Sequence, residues 1–310
     1  MIEAIHPETL VMPIPEAEFA FHLAITQAQT LRPLLSPRKN RLPYLDSLGL
    51  LGITGGNPDN PHLAIDNLAR ENLSVLLPNY VPSAKIKWLF IEEFDQGLPF
   101  YPTSNYNWLG VFDPLDETSD IKRGKYTQTS ALLMADPDSS TPPVGMITSL
   151  VDHRMIIFSN GQKPLLFSYD EINNQLIPWR TWRKHHDDFI CVATLSKRIP
   201  ELESHTNIGR LPIEYTHTFG GFGLLEMVSG KIDAMIDPLV GQPWYEAILW
   251  GFMAEKLGFV VTDARGRKHN FREYLKRAYE QNGKNMPRIP LVITKYPHIH
   301  EIILNAINAR

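Results

Sequence analysis

The apolar run Trp108-Leu109-Gly110-Val111-Phe112 ends abruptly in Asp113-Pro114-Leu115-Asp116-Glu117-Thr118-Ser119, and no other stretch restricts the fold of this chain so strongly. The run reads as a strand, and Pro114, which has no N–H, suits the exit from a ladder rather than its middle. A strand end followed by a tight loop carries Asp113 and Asp116 to one edge of a sheet. The two carboxylates and the Leu115 carbonyl between them offer three oxygens to a hard divalent cation. A second apolar run, Lys87-Trp88-Leu89-Phe90-Ile91, delivers Glu92 and Glu93 to the same edge if both strands share a sheet.

This combination resembles the lithium-sensitive, magnesium-dependent phosphatases, which include inositol monophosphatases, fructose-1,6-bisphosphatases and 3′,5′-bisphosphate nucleotidases. The wording Phe112-Asp113-Pro114-Leu115-Asp116 is most similar to the fructose-bisphosphatase version. Further along, Pro243-Trp244-Tyr245-Glu246-Ala247 and the residues up to Gly258 resemble the family's late acid-bearing helix. Monophosphatases carry Trp-Asp there; Tyr245-Glu246 takes the fructose-bisphosphatase form and makes Glu246 the third metal carboxylate. Gly220-Gly221-Phe222-Gly223 is similar to the Gly-Ser-Ala helix start, with Gly221 in place of the usual serine, and Gly230-Lys231-Ile232-Asp233-Ala234 to its exit. Asp66, in Ile65-Asp66-Asn67-Leu68, resembles the family's early aspartate, and the likeness covers about residues 60–265.

The resemblance implies an α/β (α+β) chain folded as a layered αβαβα sandwich, with halves at about residues 1–184 and 185–310. It implies two or three Mg²⁺ ions held by Glu92, Asp113, Asp116 and Glu246 with the Leu115 carbonyl. Thr118 with Glu92 would orient the attacking water, while Glu93 and Asp66 assist a further ion. Glu117, Thr118, Ser119, Ser196 and Gly221 fall on the substrate side, and the substrate would be a small phosphorylated sugar, inositol or nucleotide. A homodimer is also implied. One position departs from the pattern: the family has glycine after the second aspartate, where backbone approaches phosphate, and this chain has Glu117. A side chain there narrows the allowed backbone geometry, and a carboxylate aimed at phosphate repels it.

Each element also has a purely local reading. Asp-Pro-x-Asp is a common capped turn, and Glu92-Glu93 a solvated strand end. Asp66 suits a helix N-cap, and Glu246 the positive end of its helix. Lys197 and Arg198, after the strand-like Val192-Ala193-Thr194, either meet a second phosphate or are loop charges; Lys122-Arg123-Gly124-Lys125 either draws an anion or is an exposed turn. His185-His186 fits no zinc spacing, and His298 and His300 are expected on one face of a strand.

Composition narrows the setting. Hydrophobic residues make up 43% and charged residues 21%, as in ordinary globular proteins. A net charge of −4 gives no reason to expect a nucleic-acid polymer or an anionic membrane as partner. The single cysteine, Cys191, has no internal disulfide partner and lies in an apolar run, which points to the reducing cytoplasm. No basic stretch followed by an apolar core opens the chain, and no apolar run is long enough to span a bilayer.

The pattern predicts helices over residues 16–32 and 66–77, stopped by Pro33 and Pro78, and strands at 87–91, 108–112 and 128–134. A turn-rich break over 136–143 precedes a hairpin-like pair, 144–149 and 154–158, and a strand at 165–169. A polar basic connection at 179–186 leads into alternating strands and helices, which suggests an α/β unit.

Overall fold

The computed structural model describes residues 4–37, 41–57, 60–80, 83–92, 96–99, 107–159, 161, 163–179 and 189–309. The chain divides into two compact units, Met1–Trp179 with Ala278–Lys284, and Arg180–Arg277 with Asn285–Arg310. Among the described residues no helix is long and apolar enough to cross a membrane.

Among the described residues of the first unit, helices α1 (Pro15–Leu35), α2 (Arg41–Ser47), α3 (Ala64–Tyr80) and α4 (Thr118–Lys122) accompany ten strands. The strands are β1 (Ile53–Asn57), β2 (Asn60–Leu63), β3 (Ile86–Ile91), β4 (Gln96–Pro99), β5 (Trp108–Asp116), β6 (Thr129–Ala135), β7 (Val144–Ser149), β8 (Arg154–Phe158), β9 (Leu165–Asp170) and β10 (Gln175–Pro178). Strands β1 and β2 form a hairpin; the rest form one sheet in the order β10-β9-β8-β7-β6-β5-β3-β4. Helices α1 and α3 cover one face, burying Phe19, Leu23, Ala24 and Ala28 against Phe112, Leu132, Met146 and Met155. Strands β6 and β7 are buried at every position, so they read as unbroken apolar runs rather than alternating ones.

Both helices run past the prolines expected to stop them. Pro33 lies inside α1 and Pro78 inside α3, each in the last turn. Late in a helix a missing N–H removes a single bond, and Leu31 and Leu35, both 0% exposed, hold the end of α1 in the core. Strand β5 likewise continues past Phe112. Asp113 pairs with Ala131 and Asp116 with Thr129, so β5 carries one residue more than β6 between those pairs. This is a bulge, and Pro114 sits where the ladder asks for no regular donor.

The second unit holds β11 (Ile190–Ala193), α5 (Ile199–His205), β12 (Ile213–Thr216), α6 (Gly220–Ser229), β13 (Ala234–Gln242), α7 (Trp244–Lys256), β14 (Val260–Thr262), α8 (Phe271–Glu280), β15 (Ile289–Thr294) and α9 (Pro297–Asn308). The last residues of α8 group with the first unit. The sheet order is β12-β11-β13-β15-β14, with β12, β11 and β13 parallel and β15 antiparallel to both neighbours. Val192, Ala234, Ile236 and Val292 pack with Leu202 of α5 and with Ile299, Ile303 and Ile307 of α9. His298 and His300 fall in the first turns of α9, not on a strand. Pro297 at the first helical position and the four-residue recurrence of isoleucine at 299, 303 and 307 fix that start. Cys191 is half-buried rather than fully enclosed.

Candidate metal and phosphate site

Strands β3 and β5 are parallel neighbours with Ile91 opposite Phe112. Glu92, the residue after β3, therefore comes level with Asp113, as the shared-sheet expectation required. Asp113 is 1% exposed, and its Oδ1 accepts the Leu115 N–H at 3.1 Å. Asp116 is half-buried, and the Thr129 hydroxyl donates to its Oδ2 at 3.3 Å. Glu93 lies outside the described residues.

Asp66 reaches the same loop from α3. It is not the N-cap but the third residue of the helix, and its Oδ2 accepts the Leu63 N–H in the manner of a capping box. Its Oδ1 lies 2.8 Å from the Thr118 hydroxyl, which is also 2.7 Å from the Leu115 carbonyl. One hydroxyl proton thus faces two acceptors. Burial pushes the Asp66 carboxyl up to about 6, against the lowering effect of Leu63 and Thr118.

Glu117, between Asp116 and Thr118, adopts the left-handed conformation with φ 64° and ψ 33°. That is the backbone for which glycine is the usual residue, so the departure from the phosphatase pattern falls where a side chain is conformationally costly. Its carboxyl is pushed well up, by burial first and then by the charges of Asp116 and Asp120. The basic run beside it is committed locally: Arg123 and Lys125 each pair with Asp120 at 3.2 Å. Ser119 lies within α4.

In the second unit, Glu246 is in the first turn of α7, as expected for the late acid. Gly221 is in the first turn of α6, after Gly220 with φ 68°. Ser196 opens the short 3-10 turn Ser196–Arg198. Thr194, Arg198, Glu201 and Asp237 line a small cleft just past the C-terminal end of β11, beside the middle of its parallel neighbour β13. The Thr194 hydroxyl and the Arg198 Nε are buried there without a hydrogen-bond partner among the described residues. Arg198 also meets Glu201 at 3.6 Å. Ligands of open α/β sheets gather at such strand ends. Asp237, which accepts from Gly241 and Gln242, was not singled out by the sequence; the signal available was Pro238 directly after it, which marks the irregularity between Asp237 and Gln242 in the pairing with β15.

The donors in the first unit are carboxylates and a carbonyl, chemistry suited to a hard cation such as Mg²⁺. Among the described residues no group of three or more acidic, histidine or cysteine side chains stands ready to hold an ion.

No protein-family model matches the sequence, and no curated protein sequence matches it. Solved structures do match. The extragenic suppressor protein suhB from Bartonella henselae aligns with TM-score 0.61 and 14% identity, over 94% of this chain and 98% of its own. Fructose-1,6-bisphosphatase from Leishmania major aligns with TM-score 0.61 and 16% identity, over 94% and 95%. An inositol monophosphatase/NADP phosphatase solved with Mg²⁺ and phosphate aligns with TM-score 0.58 and 13% identity, over 87% and 92%. The chain therefore has the fold shared by inositol monophosphatases and fructose-1,6-bisphosphatases.

Proposed function

We propose that this protein is a Mg²⁺-dependent phosphatase of that superfamily, hydrolysing a phosphate monoester of a small sugar, inositol or nucleotide with water as the nucleophile. The observation that carries the reading is the meeting of three separate chain segments at one sheet edge: Asp66 on Thr118, Thr118 on the Leu115 carbonyl, and Glu92 level with Asp113.

Asp113, Asp116, Glu92 and the Leu115 carbonyl would hold the ions, two or three in number, with Glu246 in the role that the sequence resemblance implies. Mg²⁺ bound there offsets charge on the transferring oxygens and lowers the pKa of water. The chain does the positioning. A hydroxyl whose proton is committed to Asp66 or Leu115 keeps lone pairs to accept a hydrogen bond from water, so Thr118 orients the nucleophile together with Glu92. Asp66, whose carboxyl burial raises to about 6, is mainly the carboxylate at neutral pH and close enough to it in basicity to receive a proton. Ser119, Ser196 and Gly221 remain the substrate-side candidates, and the cytoplasm and a homodimer the expected setting.

The direct test is phosphate release from a panel of sugar phosphates, inositol phosphates and nucleotide bisphosphates with Mg²⁺, against the Asp113→Asn variant. Turnover by the wild type with a loss of about a hundredfold or more in the variant supports the proposal. Absence of turnover and of any Mg²⁺-induced thermal shift sinks it. The conformational cost at Glu117 favours a second reading, a catalytically weakened homologue that binds a phosphorylated ligand or a protein partner. A gain in turnover in Glu117→Gly would mark the glutamate as the impediment.

A further inference from the structure

We propose that Gln128, oriented by Arg41, is a positioning residue that holds the left-handed turn at Glu117 and so sets the Thr118 hydroxyl against Asp66. Its catalytic consequence rests on the phosphatase reading; its geometry does not. A non-glycine residue leaves the left-handed region readily unless its surroundings hold it there. The carbonyl of Glu117 is held by two donors, the Asp120 N–H at 3.0 Å and the Gln128 Nε2 at 3.3 Å. That carbonyl belongs to the peptide plane joining Glu117 to Thr118, so fixing its direction fixes where Thr118 begins.

The Gln128 carboxamide has only one workable orientation. Its Oε1 faces the Arg41 Nη1 at 3.3 Å, and a guanidinium has donors only, so the amide oxygen must turn to Arg41 and the NH₂ to Glu117. Arg41 is itself immobilised. Nη1 donates to the Leu35 carbonyl at 3.1 Å, Nη2 to the Lys125 carbonyl at 2.6 Å, and the guanidinium lies 4.1 Å from the Tyr126 ring centroid. Gln128 is 0% exposed and Arg41 2% exposed. A relay thus runs from the end of α1 to the turn between Asp116 and Thr118.

The test is Gln128→Glu in the full chain, which keeps shape and the partner of Arg41 but removes the donor. Hydrogen exchange across residues 117–122 should quicken by about fivefold, the worth of one neutral hydrogen bond. With p-nitrophenyl phosphate or fructose 1,6-bisphosphate and Mg²⁺, kcat should fall by about tenfold with KM unchanged. Arg41→Lys, which retains charge but not the fork, should move the same two readouts in the same direction. In a Glu117→Gly background the Gln128→Glu effect on kcat should shrink, because glycine takes the left-handed conformation unaided. Unchanged exchange at 117–122 overturns the proposal, as does faster exchange throughout the first unit with kcat reduced equally in both backgrounds. If the wild type releases no phosphate from either probe, the phosphatase reading fails, while the exchange pattern still decides the positioning claim.

Discussion

Two buried ionisable groups, Asp66 in the first unit and His300 in the second, meet threonine hydroxyls in opposite ways. His300 is 5% exposed, with Nε2 at 2.9 Å from the Thr262 hydroxyl and Nδ1 at 2.9 Å from that of Thr294. The Thr262 hydroxyl donates to the Asp263 carbonyl at 2.9 Å, so it accepts the Nε2–H, and Thr294 donates to Nδ1. The Thr294 proton has a second, more distant acceptor in the Tyr296 carbonyl at 3.4 Å, so Nδ1 is the nearer by half an ångström. Around Asp66, a single Thr118 proton is divided between a carboxylate and a carbonyl. Burial drives both groups toward neutrality, lowering the histidine pKa and raising that of the aspartate. The difference teaches that a hydroxyl with one clearly nearer acceptor ties a cluster together, whereas a hydroxyl almost equidistant from a carboxyl and a carbonyl leaves one of them open to another proton or a cation.

The largest expected effect breaks the comparison on the functional side. Thr118→Val should lower kcat about a hundredfold while costing only about 1 kcal/mol of stability, the worth of the one shared proton, because the side chain keeps its shape. Equal loss of stability and activity would place Thr118 in the same structural class as Thr262. On the other side, His300→Ala should destabilise the protein by about 2 kcal/mol in chemical denaturation, from lost packing and hydrogen bonds, and leave KM unchanged. Glu117→Gly should stabilise by about 1 kcal/mol, since it relieves both the left-handed backbone and the repulsion from Asp116 and Asp120. A loss of stability instead would show that the glutamate side chain itself anchors the turn.

The smallest expected effect concerns pH. The folded-state pKa of His300 lies below its ordinary 6.5, so the unfolded chain takes up the proton more readily. Its contribution to stability is complete above pH 6.5 and declines as the pH falls below that value. Melting temperatures from about pH 5 to about pH 7.5 should therefore converge with those of His300→Gln at the acidic end. Curves that stay parallel would show that His300 is not the titrating group.

Much of the acid-bearing edge was legible in the sequence because a strand buried on both faces is written as an uninterrupted apolar run that ends where the polar residues begin. Glu92 level with Asp113 followed from that pattern only on the condition that both strands share a sheet, which the parallel pairing of β3 and β5 meets, and Glu246 at the start of α7 from the resemblance. The extent of β5 was not legible, since a bulge that accommodates Pro114 depends on the pairing with β6. Nor were the ends of α1 and α3, where tertiary burial overrides the local penalty of proline. His298 and His300 alternate in sequence, and only the isoleucine spacing across α9 decides for a helix. Arg41 and Gln128, far apart in sequence and joined through buried hydrogen bonds, leave no local pattern at all.

The short return of Ala278–Lys284 into the first unit has a consequence for dissecting the molecule. Within that unit the Trp88 indole donates to Asn282 at 3.3 Å and packs edge-on against Tyr279, with ring centroids 5.9 Å apart, while Lys87 lies 4.8 Å from the same tyrosine ring. A fragment ending at Trp179 would lose these partners and present an uncovered indole on a sheet strand to water. Severing the polypeptide once, at any point, therefore cannot leave each compact unit whole on its own fragment, because these seven residues belong to the first unit and follow most of the second in sequence.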